Sequence, residues 1–257
     1  MRSVLSVQAL VALALVTGCH HHARHEQAPD AACEAHADHA RPAAEASGSA
    51  ASGMRTSKIA LSIASPKEGE VVAGPDLAVA FALQGYAVAQ KGPHVHLILD
   101  NEPYKPVYDV SQPFVLKGLK PGNHTLRAFP STAWHESQKV AGAFTQVNFA
   151  VGQADGGVKL DPSAPTLTYS RPKGEYAGTD AQRILLDFYV TNATLSETGY
   201  RVRRTVDGQS ALLTRWEPTY LEGLASGSHT IKLELLDAQG RAVPGPYNVT
   251  ERTITVR

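Results

Sequence analysis

The chain has 257 residues, with 24 basic and 24 acidic side chains and a hydrophobic content of 43%. This composition is ordinary for a folded protein and leaves room for two modest domains. The balanced charge gives no basis for nucleic-acid binding, which needs a basic patch or stripe. Both cysteines, Cys19 and Cys33, precede residue 58. A disulfide within either domain, or a structural zinc with cysteine ligands, is therefore excluded from the remainder of the chain.

The first eighteen residues have the pattern of a secretion signal. Arg2 provides a positive start, and residues 4–16 form an apolar run that is too short to span a membrane. The run ends Val16-Thr17-Gly18-Cys19, which resembles a bacterial lipobox. The resemblance implies a lipoprotein signal peptide at 1–18, lipidation at Cys19 and attachment to a membrane; an ordinary signal with a chance cysteine is the alternative. Because His20 rather than Asp follows Cys19, the outer membrane is implied for a Gram-negative cell.

Residues 19–57 are predicted to form a disordered tether. They are dominated by Ala, Ser, Gly, Glu and His and contain almost no branched or aromatic residues. Such a segment cannot bury enough apolar surface to offset the entropy lost on ordering. It carries six histidines: His20, His21, His22, His25, His36 and His39. Two interpretations stay open, namely loose binding of Zn²⁺, Ni²⁺ or Cu²⁺ and a polar, pH-responsive spacer.

From residue 58 onward the sequence alternates short apolar runs with Gly, Pro, Asn and Asp. The first repeat predicts seven strands, at 59–63, 77–83, 94–99, 107–110, 114–117, 124–129 and 144–151. The Gly-x-His-Thr segment at 122–125 recurs at 227–230, and the strand from His94 matches the strand from Arg201. We therefore expect two copies of one all-β domain, at 58–152 and 166–257, joined by a linker at 153–165. Seven strands with frequent turns favour tandem immunoglobulin-like β-sandwiches.

The turn before the repeated Gly-x-His-Thr segment supports this fold class. Gly-Leu followed by Gly-x-His-Thr-Leu or Gly-x-His-Thr-Ile resembles the E–F corner of many bacterial immunoglobulin-like and fibronectin type III-like domains. As a whole, the chain resembles uncharacterised bacterial lipoproteins with tandem domains of this type. The resemblance covers both repeats and implies a fold without implying an activity.

His124 and His229 occupy the same position in the two repeats. Each shares a strand face with apolar residues such as Leu126 and Ile231. We interpret both as structural residues that hydrogen-bond to the preceding corner, rather than as ligands of a metal.

His94 and His96 are different, because their i, i+2 spacing places both on one face of a strand. The matching face of the second repeat carries Arg201 and Arg203, so we expect this face to be exposed to solvent. In an immunoglobulin-like topology, the loop after the strand at 124–129 returns to the same pole. That loop contains Trp134, His135 and Glu136.

These residues predict a Cu²⁺ or Zn²⁺ site with His94, His96, His135 and Glu136 as ligands and Trp134 beside it. The alternative is a polar recognition loop in which Trp134 packs over the strand and the histidines only hydrogen-bond. Arg201 and Arg203 are candidates for binding anionic glycans, or simply part of a solvated face.

No enzymatic function is expected. The sequence has no Gly-x-Ser-x-Gly, no His-Glu-x-x-His and no phosphate-binding glycine loop. Two hypotheses remain for a lipid-anchored protein of the cell envelope. In the first, the first sandwich binds a ligand, with copper or zinc as the candidate. In the second, the protein is a structural or adhesion spacer that binds an envelope protein or a glycan.

Overall fold

The structure is a computed structural model that describes residues 58–257. The predicted signal peptide, the predicted lipidation site Cys19 and the histidine-rich segment predicted to be a tether lie outside the described residues. Within this range both repeats belong to the same compact unit of the chain. None of the helices in residues 58–257 has the length and apolar character needed to cross a membrane.

The first repeat is a β-sandwich of eight strands. They are β1 (Ala60–Ser65), β2 (Glu70–Val72), β3 (Leu77–Gln84), β4 (His94–Leu99), β5 (Lys105–Val107), β6 (Phe114–Leu116), β7 (Gly122–Ser131) and β8 (Thr145–Val151). One sheet has the order β1-β3-β6 and the other the order β2-β8-β7-β4-β5. Two details differ from the sequence prediction: β5 begins at Lys105, earlier than the strand predicted at 107–110, and the short parallel strand β2 was not predicted.

The second repeat has the same construction. Its elements are β9 (Thr166–Arg171), β10 (Gly174–Tyr176), the single helical turn α1 (Thr179–Gln182), β11 (Arg183–Thr191), β12 (Arg201–Val206), β13 (Gln209–Leu213), β14 (Thr219–Glu222), β15 (Gly227–Leu236) and β16 (Val249–Val256). Its sheets have the orders β14-β11-β9 and β10-β16-β15-β12-β13. The strand orders of the two repeats match position by position. The prediction of an all-β chain with two tandem immunoglobulin-like sandwiches is confirmed.

Side chains along β4 alternate between the core of the first sandwich and the outer face of its five-stranded sheet. Val95, Leu97 and Leu99 point between the two sheets of the first sandwich and belong to its apolar core. The intervening residues point to the outer face of the five-stranded sheet, yet His94, His96 and Ile98 are each 0% exposed. Something other than the first sandwich must therefore cover this outer face.

The second sandwich provides that cover. Along β9, Leu167 and Tyr169 face the second core, while Thr168 and Ser170 point outward toward the first sandwich. A separate apolar cluster forms between the two domains from Ile98, Tyr104, Phe129 and Tyr189. The outer face of the five-stranded sheet of the first sandwich thus packs on the three-stranded sheet of the second. We call this contact the interdomain interface.

Buried charged groups at the interdomain interface have partners in both repeats. Arg127 on β7 is 0% exposed and donates to Thr168 Oγ1 (2.7 Å) and to the carbonyl of Asp100. Asp187 on β11 is also fully buried and pairs with Lys139 of the first sandwich. A buried charge without a partner is costly, so these pairings fix how the two sheets dock.

The expectation that the His94 and His96 face is exposed to solvent is wrong. It was inferred from the matching residues of the second repeat, Arg201 and Arg203, which are indeed partly exposed. In the first repeat the same face is covered by β9 of the second sandwich, whereas no described residues cover the matching face of the second repeat to the same extent. Burial of this outer face therefore depends on contact with a neighbouring domain and not on the strand itself.

The two corner histidines have equivalent partners. His124 contacts Asp100 Oδ2 through Nδ1 (2.8 Å) and the Lys120 carbonyl through Nε2 (2.7 Å). His229 contacts Asp207 Oδ2 (2.6 Å) and the Ala225 carbonyl (2.7 Å) in the same way. The interpretation of both as structural residues bound to the preceding corner is confirmed.

The His229–Asp207 pair should make the stability of the protein depend on pH. The hydrogen bond to Asp207 and the Ala225 carbonyl raise the pKa of His229 above 6.5, because both ring nitrogens face acceptors. The hydrogen bond from His229 lowers the pKa of Asp207 below 3.8. The stabilisation by protonated His229 is complete below pH 6.5 and is lost as the pH rises through its raised pKa. The stabilisation by ionised Asp207 is complete above pH 3.8 and is lost as the pH falls through the lowered pKa of this group.

We expect Asp207→Asn to reduce the loss of stability between about pH 6 and pH 8 by roughly 0.2–1 kcal/mol, the range for partly exposed ion pairs. Asparagine tolerates the positive φ of 47° at this position, so the turn itself is retained. Thermal melts across this pH range measure the effect. His229→Gln should reduce the change in stability over this pH range by the same amount. An unchanged pH dependence in both variants would contradict its assignment to the His229–Asp207 pair.

Candidate metal centre

Local backbone geometry brings three histidines together at one end of β4. His94 and His96 lie on the same face of this strand, and His94 pairs across the sheet with Ser131, the last residue of β7. The loop that follows folds back tightly, with the amide of Thr132 donating to the Glu136 carbonyl (2.9 Å) and that of His135 to the Thr132 carbonyl (3.0 Å). His135 has a φ of 69°, which turns its ring toward β4. His135 thus lies beside His94 and His96.

The side-chain nitrogens of these residues form a compact set. His94 Nε2 lies 3.0 Å from His96 Nε2 and 3.0 Å from His135 Nδ1. One nitrogen from each of the three rings lies within 4.8 Å of the other two. Around a tetrahedral Zn²⁺ with Zn–N bonds of 2.0–2.1 Å, neighbouring nitrogens are about 3.3 Å apart. Small rotations of the rings would bring all three nitrogens onto one ion. We call this set the three-histidine centre.

In His94 and His96 the other ring nitrogen is held by the protein, which fixes ring orientation. His94 Nδ1 lies 2.9 Å from the Gly92 carbonyl, which can only accept, so Nδ1 carries the proton and neutral His94 presents a bare Nε2. His96 Nδ1 lies 3.1 Å from Ser170 Oγ, a group of the second sandwich. Metal-binding histidines in proteins are oriented by contacts of this kind on the nitrogen that does not bind the metal.

The metal-free centre and the metal-bound centre need different proton positions. Since neutral His94 Nε2 has no proton, the contact between it and His96 Nε2 is a hydrogen bond only when His96 donates from Nε2. Ser170 then donates its hydroxyl to His96 Nδ1. If an ion were bound at Nε2, His96 would carry its proton on Nδ1 and Ser170 would accept from it. The hydroxyl serves both states because it donates or accepts by rotation.

Electrostatics at the centre keeps His96 uncharged. Burial removes water from the charged imidazolium and lowers the pKa of His96 well below 6.5, and the neighbouring His94, His135, Arg171 and Lys173 lower it further. His96 is therefore neutral at pH 7, the form in which an imidazole binds a metal ion.

Sequence analysis missed Tyr104, which contacts two of the three histidines. Its ring stacks on His96 with centroids 3.5 Å apart, and its hydroxyl lies 3.1 Å from His135 Nδ1. Arg171 Nε donates to the same hydroxyl (3.1 Å), and Lys173 Nζ donates to the Tyr104 carbonyl (3.0 Å). Tyr104 immediately precedes β5, and only the register of β5 against β4 places it next to His96. That register is not visible in the sequence.

The remaining predicted site residues have other partners. The carboxylate of Glu136 accepts a hydrogen bond from the indole of Trp134 (3.1 Å), and Glu136 does not belong to the three-histidine centre. Arg201 donates to the carbonyls of Asp237 and Ala238, and Arg203 forms an ion pair with Glu234 at 2.7 Å.

These two arginines lie on the five-stranded sheet of the second sandwich, whereas the three-histidine centre lies against its three-stranded sheet. The structure therefore does not bring Arg201 and Arg203 to the centre.

Neither a protein-family model nor a curated protein matches this chain. Among solved structures, it is similar to fibronectin(III)-like modules of CbhA from Clostridium thermocellum, at 16% identity, with 77% of this chain and 94% of that chain covered and a TM-score of 0.28. It is also similar to the PKD domain of human KIAA0319, at 17% identity, covering 44% of this chain and 98% of that one, with a TM-score of 0.25.

A third similar structure is the SGBP-B protein of the mixed-linkage glucan utilization locus of Bacteroides ovatus, solved with a heptasaccharide. It is 15% identical, covers 76% of this chain and 68% of that chain, and has a TM-score of 0.22. Similarities at this level carry no argument about function. The immunoglobulin-like fold rests on the strand order described above.

Proposed function

We propose that this chain is a non-enzymatic metal-binding protein of the cell envelope, with copper or zinc bound at the three-histidine centre. The observation that supports this proposal is the convergence of three imidazole nitrogens within 4.8 Å, two of the distances being 3.0 Å. Imidazole is a common ligand of both Zn²⁺ and Cu²⁺.

The alternative is a set of histidines that only hydrogen-bond to one another and to the loop. Two features favour the metal. His94 and His96 are fully buried, so bulk water does not compete with an ion for their nitrogens. In addition, His94 is fixed in the tautomer that directs a bare nitrogen at the other two rings. An ion would satisfy all three nitrogens at once.

Metal should stabilise the folded protein, because a ligand that binds only the folded state adds RT ln(1 + [L]/Kd) to its stability. Residues 58–257 should be used, since this fragment lacks the six histidines of the tether. At a metal concentration of about 100 times Kd the gain is about 2.7 kcal/mol. We expect this to raise the Tm by roughly 5–10 °C for a protein of this size.

His135→Asn is the matched variant for this experiment. Asparagine accepts the positive φ at this position, and His135 is only partly buried, so the fold should be retained while one ligand is lost. The metal-dependent shift should disappear in His135→Asn and persist in His229→Gln, a change distant from the centre. No shift in the unaltered fragment, or an equal shift in His135→Asn, would contradict metal binding at this centre.

The second sandwich should contribute to metal affinity through Ser170. Removing a group that orients a ligand typically costs 10–100-fold in affinity. We expect Ser170→Ala to weaken binding by about this factor, whereas Thr168→Ala should leave it nearly unchanged. Thr168 lies on the same face of β9 but binds Arg127 rather than a histidine. Calorimetric titration with Zn²⁺ measures both variants. Equal losses would indicate a general loosening of the interdomain interface.

We propose further that Cys19 carries the lipid that holds the protein at a membrane, as the lipobox-like sequence implies. Acyl chains supply the anchoring free energy, so Cys19→Ser should release the mature protein or leave it held by an uncleaved signal. Fractionation of cells followed by mass measurement checks this expectation. Normal processing with unchanged membrane association would contradict lipidation at Cys19.

A further inference from the structure

We propose that the three-histidine centre selects monovalent copper, Cu⁺, over the divalent ions Zn²⁺, Cu²⁺ and Ni²⁺. This inference rests on the proposed function, since it specifies which ion the same centre takes. It comes from the charge of the groups in and around the centre.

All three donors of the centre are neutral, and no carboxylate belongs to it among residues 58–257. A bound ion therefore keeps its full charge in a place where two of the ligands are completely buried. The cost of removing an ion from water rises with the square of its charge, so a divalent ion is about four times as costly as a monovalent ion of the same size. Many divalent sites offset this cost with anionic carboxylate or thiolate ligands.

Arg171 of the second sandwich adds to this cost. Its side chain is 4% exposed, and it donates through Nε to Tyr104 and through Nη1 to the Tyr176 hydroxyl (2.9 Å). Both partners are phenols, and within residues 58–257 Arg171 takes part in none of the ion pairs. Its Nη2 is buried without a hydrogen-bond partner.

The guanidinium lies near the centre, because the Tyr104 ring that stacks on His96 is 5.8 Å from Arg171 Cζ. Its positive charge repels any cation at the centre. The repulsion is twice as large for a divalent ion.

Coordination number leads to the same ion. Three nitrogens suffice for a trigonal Cu⁺ site, whereas Zn²⁺ held by three protein ligands takes water or substrate as a fourth ligand. Glu136, the nearest acidic residue in the same loop, is held by Trp134. The hydroxyl of Tyr104 is held by Arg171 and by His135. The described side chains thus supply three donors and no anionic fourth.

Competition titrations with chromophoric chelators, on residues 58–257 under anaerobic conditions, test the inference. The affinity for Cu⁺ should exceed the affinities for Zn²⁺, Cu²⁺ and Ni²⁺, and His135→Asn should weaken Cu⁺ binding. Tighter binding of any of the divalent ions would overturn the selectivity while leaving the proposed function intact. Absence of binding by all four ions would overturn both.

A variant that removes the charge of Arg171 tests whether selectivity comes from this charge or only from the number of ligands. Arg171→Gln keeps an amide that can donate to Tyr104 but removes the positive charge, so it should raise the affinity for Zn²⁺ relative to Cu⁺ by about tenfold. Arg127→Gln is the control, because Arg127 is an equally buried guanidinium of the interdomain interface that contacts none of the histidines.

The ratio of the two affinities is measured within one protein, so loosening of the interface affects both ions and largely cancels. We expect the ratio in Arg127→Gln to equal that of the unaltered fragment. An unchanged ratio in Arg171→Gln, or an equal change in Arg127→Gln, would overturn the role of the Arg171 charge.

Discussion

The interdomain interface is the contact on which the rest of this structure depends. One strand of each sandwich, β4 and β9, is buried on both faces, since its inner face fills its own core and its outer face packs on the other domain. Between the domains lie a small aromatic cluster and several buried polar groups. Apolar contacts supply the attraction, while the polar groups, which are costly to bury without partners, restrict the sheets to one register.

The interface also places the candidate site. His94, His96 and His135 all belong to the first sandwich, yet the groups that hold their surroundings come largely from the second. Ser170 contacts His96 directly, and Arg171 and Lys173 hold Tyr104 against the same ring. The centre is therefore a property of the docked pair. Separating the domains would expose the imidazoles and remove the contacts from Ser170, Arg171 and Lys173.

The two repeats share a strand order but use it differently. Each keeps an acidic residue with positive φ and a histidine at its corner, Asp100 with His124 and Asp207 with His229. These pairs close the same turn in both domains and belong to the fold. The outer faces of the five-stranded sheets have diverged, and among residues 58–257 only that of the first sandwich packs on a neighbouring domain. Buried histidines are found on the first, and Arg203 paired with Glu234 on the second.

Several features were determined by the sequence alone. Two tandem all-β sandwiches could be predicted from the alternation of apolar residues with a period of two and from the repeated Gly-x-His-Thr corner. The absence of cysteine beyond residue 33 showed that neither sandwich contains a disulfide. The i, i+2 spacing of His94 and His96 and the topology of the fold were enough to bring His135 beside them. These inferences succeed because alternation of side chains along a strand and the return of a loop to one pole are local or topological properties.

Only the tertiary structure decided which outer face is buried, that Tyr104 stacks on His96, and that the carboxylate of Glu136 binds Trp134. Burial of the outer face depends on how the two sandwiches dock, and the position of Tyr104 depends on the register of the three-residue strand β5. The contact between Glu136 and Trp134 depends on the conformation of one loop. Docking and register are set by the sum of many weak contacts between residues far apart in the chain, such as Arg127 with Thr168 and His96 with Ser170. Docking and register therefore cannot be predicted from any short stretch of the sequence.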